Sequence, residues 1–269
     1  MIRFLSKALS AAGLLACGAA AYAASAAGAA QAAGAGHLSA AQIVERNVSA
    51  RGGLQSWRAV NAMRMSGQID VGGTKNTRLP FVMTMKRPHK NRFEIRFDGQ
   101  TAYQIYDGAQ GWKIRPFLGR SEAEPYTRAE LASAASSAEL DGPLIDYANK
   151  GASVALLGTE FVEKHRAYVL KLTTKDNVSR RVWIDASSFL ELKIDGEPRK
   201  LDGRMHNVAI FYRDYRKEGA LVVPHTLETV VAGVKETRKL TIEQVAVNQP
   251  TDDALFAKPQ PAAAKVSSR

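Results

Sequence analysis

The chain has 269 residues, 45% hydrophobic, 23% charged and 7% aromatic, which suits one large globular domain or two small ones and is too apolar for a disordered chain. Its one cysteine, Cys17, excludes an internal disulfide framework and any four-thiolate zinc or iron–sulfur site. Lys and Arg number 37 against 26 Asp and Glu, a net charge of +11 that would point to nucleic acid or an anionic surface, depending on the compartment.

The first residues set the expected compartment. Met1 to Lys7 carries Arg3 and Lys7 and no acid, Ala8 to Ala20 is uncharged and moderately apolar, and Ala21-Tyr22-Ala23 has the small-residue form of a cleavage site. Residues 1–23 therefore read as a bacterial secretory signal. The run is shorter than the ~20 apolar residues of a spanning helix, so no transmembrane anchor is expected. Leu14-Leu15-Ala16-Cys17 also has the form of a lipobox, which would make Cys17 the acylated first residue of an outer-membrane lipoprotein. Because the apolar run continues past Cys17, cleavage after Ala23 is favoured. Either route leads to the periplasm, and nucleic acid is not an expected partner.

Residues 24–36 are almost entirely Ala and Gly and read as a tether, 37–258 as the folded domain, and 259–269, with Pro, Ala and Ser around two bases, as a frayed tail. No repeat of 20 to 50 residues argues for a solenoid or propeller. Ser39 and Gln42 have capping-box spacing, and Ile43, Val44 and Val48 share one helical face before Gly52-Gly53 ends it. From Met63 the period becomes two. Leu79, Phe81, Met83 and Met85 alternate with smaller or polar residues, and Phe93, Ile95 and Phe97 alternate with Arg92, Glu94 and Arg96. Gly72-Gly73, Asp98-Gly99, Asp107-Gly108 and Asp195-Gly196 punctuate the runs as hairpin turns, so neighbouring strands are expected to be antiparallel.

Thr127 with Glu130 forms a second capping box. A helical stretch to Leu140 follows, then Asp141-Gly142-Pro143 and the apolar cluster Leu144, Ile145 and Tyr147, a helical insertion in a sheet protein. Strands resume with Tyr168, Leu170 and Leu172; Val182 and Ile184; Leu190, Leu192 and Ile194; Val208, Ile210 and Tyr212; and Leu240 and Ile242 on single faces. The expectation is a mainly β fold with helices and about eleven antiparallel strands. So many strands with one apolar face must close, or nearly close, into a barrel or deeply curved sheet. An interior not filled by the protein's own helices would be an apolar cavity fit for an acyl chain, although an alternating apolar face is first of all core. The Met residues on these faces suit irregular guests.

Catalytic machinery is not evident. His37, His89, His165, His206 and His225 are far apart with no helical zinc spacing, and no nucleophile elbow, phosphate loop or dinucleotide glycine pattern occurs. Asp185 and Glu191 could meet across a cavity, but Glu94 and Asp185 read more simply as solvated strand residues. Arg180-Arg181 and Arg199-Lys200 read as a solvated face, which in the cell envelope could touch acidic lipid headgroups.

The segment Met85-Lys86-Arg87-Pro88, Arg92-Phe93-Glu94, Asp98-Gly99, Tyr106-Asp107-Gly108 and Gly111-Trp112 resembles the LolA-like family of envelope lipoprotein-sorting proteins. Ala50-Arg51-Gly52-Gly53, Val182-Trp183-Ile184-Asp185, Asp214-Tyr215 with Gly219 and Pro224-His225, and a closing Leu255-Phe256 agree with it. The motifs span most of residues 39–258 and are closest to the uncharacterised outer membrane lipoprotein-sorting members. The resemblance implies a half-open antiparallel β-barrel with a helical lid, carrying lipoprotein acyl chains across the periplasm. It also implies that Arg87 latches the lid through backbone carbonyls, a task that suits the planar guanidinium fork. The lid region, Thr127 to Gly151, is alanine-rich and departs from the family pattern; its expected lid residues are Leu131, Leu140, Leu144, Ile145 and Tyr147.

The leading expectation is a non-enzymatic, monomeric periplasmic carrier without cofactor or metal, binding lipoprotein acyl chains or a lipid for transport to the outer membrane. The expected cavity lining is Phe81, Met83, Met85, Phe93, Ile95, Phe97, Leu170, Ile184, Leu192 and Ile210. A membrane protein as donor or acceptor is a further expected partner. The rivals are an envelope-stress sensor that binds a regulatory protein, an outer-membrane-anchored acceptor if Cys17 is acylated, and, last, a hydrolase.

Overall fold

The computed structural model describes residues 38–70, 77–235 and 237–259. The expected signal peptide, the tether, Cys17, His37, the Gly72-Gly73 turn and the tail from residue 260 lie outside the described residues.

The chain opens with α1 (Ala40–Ala50) and α2 (Leu54–Arg58). Six strands follow: β1 (Ala62–Asp70), β2 (Arg78–Lys86), β3 (Lys90–Phe97), β4 (Gln100–Tyr106), β5 (Gly111–Arg115) and β6 (Arg120–Pro125). Next come α3 (Arg128–Ser137), β7 (Ser153–Val162), β8 (His165–Thr173), β9 (Ser179–Asp185) and β10 (Glu191–Asp195). The chain closes with β11 (Arg199–Leu201), β12 (Arg204–His206), β13 (Val208–Glu218), β14 (Leu221–Val231) and β15 (Arg238–Val247). Short 3-10 turns occupy Pro116–Leu118 and Asp253–Phe256.

Among the described residues, thirteen strands form one antiparallel sheet in the order β6-β5-β4-β3-β2-β1-β15-β14-β13-β10-β9-β8-β7, and β11 and β12 form a separate hairpin. The sheet does not close, since β6 and β7 are its two edges. The count exceeds the expected eleven because edge and hairpin strands lack a dry face to betray them. β6 reads Arg-Ser-Glu-Ala-Glu-Pro, and β11 and β12 have three residues each.

Both capping boxes form. Ser39 caps α1 through Gln42, and Thr127 caps α3 through Glu130, leaving fewer unpaired amides at each helix start. α1 buries Ile43, Val44 and Asn47, and ends where Gly52 takes a φ of 109°. A Cβ on Gly52 would stand 2.1 Å from the carbonyl oxygen of Ala220, so the glycine lets α1 close onto the β13–β14 turn. Asp98 and Gly99, both at positive φ, make the expected two-residue turn between β3 and β4. Asp195-Gly196 does not turn a hairpin as expected. It leads into β11, and the tight turn there is Asp202-Gly203.

The face that α1 covers is the inner one, and the sheet wraps around it. Leu144 belongs to a buried cluster with Ile43, Val44, Leu170 and Ile184, while its neighbour Ile145 belongs to one with Phe81, Met85 and Ile242. β2 and β8 are seven places apart in the strand order, about 34 Å on a flat sheet, so adjacent residues reach both only if the sheet curls.

Candidate functional site

Register puts most of the expected lining on this inner face. Met83 pairs with Phe93 and Phe81 with Ile95 across β2 and β3, and Met85 pairs with Met63 across β2 and β1. Phe81 and Met85 are buried. Met83, Phe93, Ile95 and Phe97 are half-buried on the same face, and with Leu79 they leave an apolar floor partly open to solvent. Phe81 and Phe93 lie 5.7 Å apart, a tilted aromatic pair.

On the other limb Leu170 and Ile184 are fully buried, and Ile210 is half-buried against the second cluster. That part is solid, filled by Ile43 and Val44 of α1 and by Leu144. Leu192 stands apart. A bulge between Glu191 and Lys193 breaks the alternation, so Leu192 packs with Val162, Ala167, Val169, Trp183 and Phe211. The expected lid residues also divide. Leu144 and Ile145 are core, Leu140 and Tyr147 pack on the two clusters from outside, and Leu131 is half-buried on α3.

α3 itself buries no residue. Its sequence, Arg-Ala-Glu-Leu-Ala-Ser-Ala-Ala-Ser-Ser, gives helix propensity without an apolar face, so side-chain bonds at its two ends hold it. At the start, Lys113 of β5 donates to Glu130. Near the end, Arg180 of β9 donates to Ser136 Oγ. Burial pushes the Glu130 carboxyl up, and hydrogen bonds from Lys113 and Thr127 more than reverse this. Glu130 and Ser136 are about 9 Å apart along a helix axis, whereas β5 and β9 are nine places apart, about 43 Å if flat. The sheet therefore curls until its two limbs approach, and α3 straps the opening.

Arg87 lies on the same face as part of a polar clasp. Its Nε donates to the Val60 carbonyl at 2.7 Å, and its Nη2 to the Trp57 carbonyl at 3.2 Å and to Asp141 Oδ2 at 2.7 Å. Lys150 donates to Asp141 Oδ1 at 2.7 Å, to the Gly142 carbonyl at 2.7 Å and to Glu139 at 3.0 Å. Burial raises the Asp141 carboxyl, but Lys150 and Arg87 outweigh it and hold the group below its ordinary value. The clasp thus joins α2, β2 and the segment after α3.

The two carboxylates that could have faced each other sit in separate networks. Glu191 pairs with buried Arg51 at 2.9 Å and accepts from Tyr215, while the Arg51 guanidinium lies over Trp57 at 4.5 Å. Asp185, expected to be solvated, is buried at the β9–β10 turn, where Ser187, Ser188 and His165 surround it. Burial pushes the Asp185 carboxyl up, but the hydrogen bonds from Ser187 and Ser188 bring it down to about 2. His165 and Asp185 line a cleft of about 350 Å³ with Leu192, Phe211 and Arg213. There Ser187 and Ser188 donate to Asp185 rather than to His165, which leaves no serine aligned as a nucleophile. Among the described residues, no group of three or more His, Cys, Asp or Glu side chains could hold a metal ion.

Lys113 and Lys150 escaped the sequence reading, which took Asp141 for part of a turn and Arg180 for a solvated face, not for partners of Arg87 and α3. Lys113 is a buried cation on an apolar face, which alternation does not anticipate, and the Glu130 of the capping box was the one available sign of a partner.

No protein-family model matches the sequence, and no curated protein matches it. Solved structures do. A LolA superfamily protein from Nitrosomonas europaea is 16% identical over 82% of this chain and 99% of that one, with a TM-score of 0.54. A candidate outer membrane lipoprotein-sorting domain from Vibrio parahaemolyticus is 12% identical over 80% and 95%, with a TM-score of 0.52. A DUF1329 family protein from Desulfovibrio piger is 14% identical over 81% and 97%, with a TM-score of 0.55. A curled antiparallel sheet around an N-terminal helix, similar to these structures over four-fifths of its length, gives this chain the LolA-like fold.

Proposed function

We propose that the protein is a periplasmic carrier of acyl chains, either those of a lipoprotein or of a lipid, destined for the outer membrane. The observation that supports this reading is the part of the inner face whose apolar side chains stay partly exposed. Met83, Phe93, Ile95 and Phe97 remain half-buried, and α3, tied to β5 and β9, contributes no buried side chain of its own. A folded chain gains by covering such a surface, and burying an acyl chain there is worth about 0.8 kcal/mol per CH₂. α3 can lift without breaking a core, because two side-chain bonds hold its ends. Seated again, it would cover the bound chain, and the sheet with its strap would act as a half-open barrel.

In this reading Arg87 holds the clasp around Asp141, so that only α3 moves. The folds of the LolA superfamily protein and of the candidate lipoprotein-sorting domain support the same assignment. Carriage and release need no chemical step. The domain that does this work is residues 37–258, with residues 1–23 serving export and 24–36 as the tether.

The test is mass spectrometry of organic extracts from protein purified natively out of the envelope. The parent should yield acyl lipid at near-stoichiometric amount, and Met83→Asp with Phe93→Asp should yield none while keeping the parent's circular dichroism. Equal lipid content in parent and variant would overturn the assignment.

A further inference from the structure

One end of the sheet carries an unusual combination of exposed apolar tips and unpaired bases. Strand direction places the turns after β3, β5, β8, β10 and β14 at this end. Among the described residues, five of the nine exposed large hydrophobic side chains lie there: Phe117, Leu118, Val178, Leu201 and Met205. Met205 is 65% exposed in the β11–β12 hairpin and Phe117 60% exposed in a 3-10 turn, positions where a solvated protein gains nothing from large apolar groups.

The bases cluster beside these tips. The β11–β12 hairpin carries Arg199, Lys200 and Arg204; Lys235 follows β14 and Arg238 opens β15, and in sequence the acids of these two stretches are Asp202 and Glu236. The two segments are in contact, since His206 Nδ1 lies 2.7 Å from the Ala232 carbonyl. None of the five bases forms an ion pair among the described residues. Burial and the nearby Arg238 both lower the Arg199 guanidinium below its ordinary value, as expected of like charges held together.

We propose that this end docks on an anionic lipid bilayer, with Met205, Leu201, Phe117 and Leu118 entering the interface and the five bases meeting headgroup phosphates. Apolar tips ringed by Lys and Arg are what interfacial binding requires, a modest buried apolar area combined with attraction to anionic lipid. The docked end is also where the apolar floor emerges. Phe97, at its upper margin, lies 6.0 Å from Phe117 in an edge-on contact, so the floor would open onto the bilayer rather than onto water. This docking stands apart from the cargo assignment, because vesicle binding by a chain with an empty inner face would keep the one and sink the other.

The full chain is tested by co-sedimentation with phosphatidylglycerol–phosphatidylcholine vesicles, with phosphatidylcholine alone for comparison. Binding should require the anionic lipid and weaken with added salt, and Lys200→Ser and Arg204→Ser should each weaken it about five-fold. A positional readout separates this end from the rest of the chain. With brominated lipid, emission from Met205→Trp should be quenched, whereas Phe161→Trp, even more exposed near the opposite end of the sheet, should not be. No binding, binding indifferent to Lys200→Ser and Arg204→Ser, or quenching as strong at position 161 as at 205 would overturn the proposal.

Discussion

Lys113 on β5 and Arg180 on β9, nine strand places apart, grip the same ten-residue helix, so α3 spans the gap between the two limbs of the sheet. Because α3 buries nothing, its attachment should be local. Lys113→Ala with Arg180→Ala should raise hydrogen exchange across 128–137 and lower global stability by less than about 1 kcal/mol, because Glu130 and Ser136 stay in contact with water once the cations are gone. A large fall in the unfolding midpoint would mean that α3 is core after all.

The clasp should behave differently. Arg87→Ala leaves Asp141, almost wholly buried, with Lys150 as its one cationic partner, and removes donors from the Val60 and Trp57 carbonyls. A loss of about 1–3 kcal/mol is expected, discounted because Arg87 is partly exposed. Arg87→Lys should recover little of it, since one ammonium does not reproduce the fork. Full recovery by lysine, measured by urea unfolding, would show that charge alone matters.

Arg51 and Glu191 form a deeply buried ion pair at the end of α1. Removing one partner strands the other in a dry site, so Arg51→Met should cost about 3–5 kcal/mol, while Arg51→Met with Glu191→Leu should cost less. The double variant being the weaker of the two would contradict this account.

Acid should act through carboxyls held below their ordinary values. Such a group stabilises the fold above its unfolded pKa, and that contribution is lost as pH falls through the folded one. Asp141 is lowered by Lys150 and Arg87 against burial, and Asp185 lies at about 2 because its serine hydrogen bonds outweigh burial. Stability from these two groups should hold down to about pH 4, near the unfolded carboxylate value, and fall from there towards pH 2. Urea midpoints over that range should show a shallower slope in Asp185→Asn than in the parent, and an identical slope would remove Asp185 from the explanation.

The sequence made much of this fold legible, and the failures have local causes. Both capping boxes, the Asp98-Gly99 turn and the inner face of β2 and β3 follow from spacing, because caps, tight turns and period-two alternation are short-range devices. Leu192 left the inner face because a one-residue bulge reverses the side of the sheet, and a bulge leaves no mark in composition. Leu144 and Ile145 read as lid and turned out to be core, since only tertiary contact with strands seven places apart could reveal it. The Lys113–Glu130 and Arg87–Asp141 pairs join residues 17 and 54 positions apart, beyond any periodic signal.

Titration of the purified, delipidated chain with a fluorescent fatty acid tests the central claim most directly, because it asks whether the open floor beside Met83 and Phe93 takes an acyl chain. The account predicts saturable binding near one chain per protein, lost in Phe93→Asp at unchanged unfolding midpoint. Absence of saturable binding, or an undiminished affinity in Phe93→Asp, would contradict it.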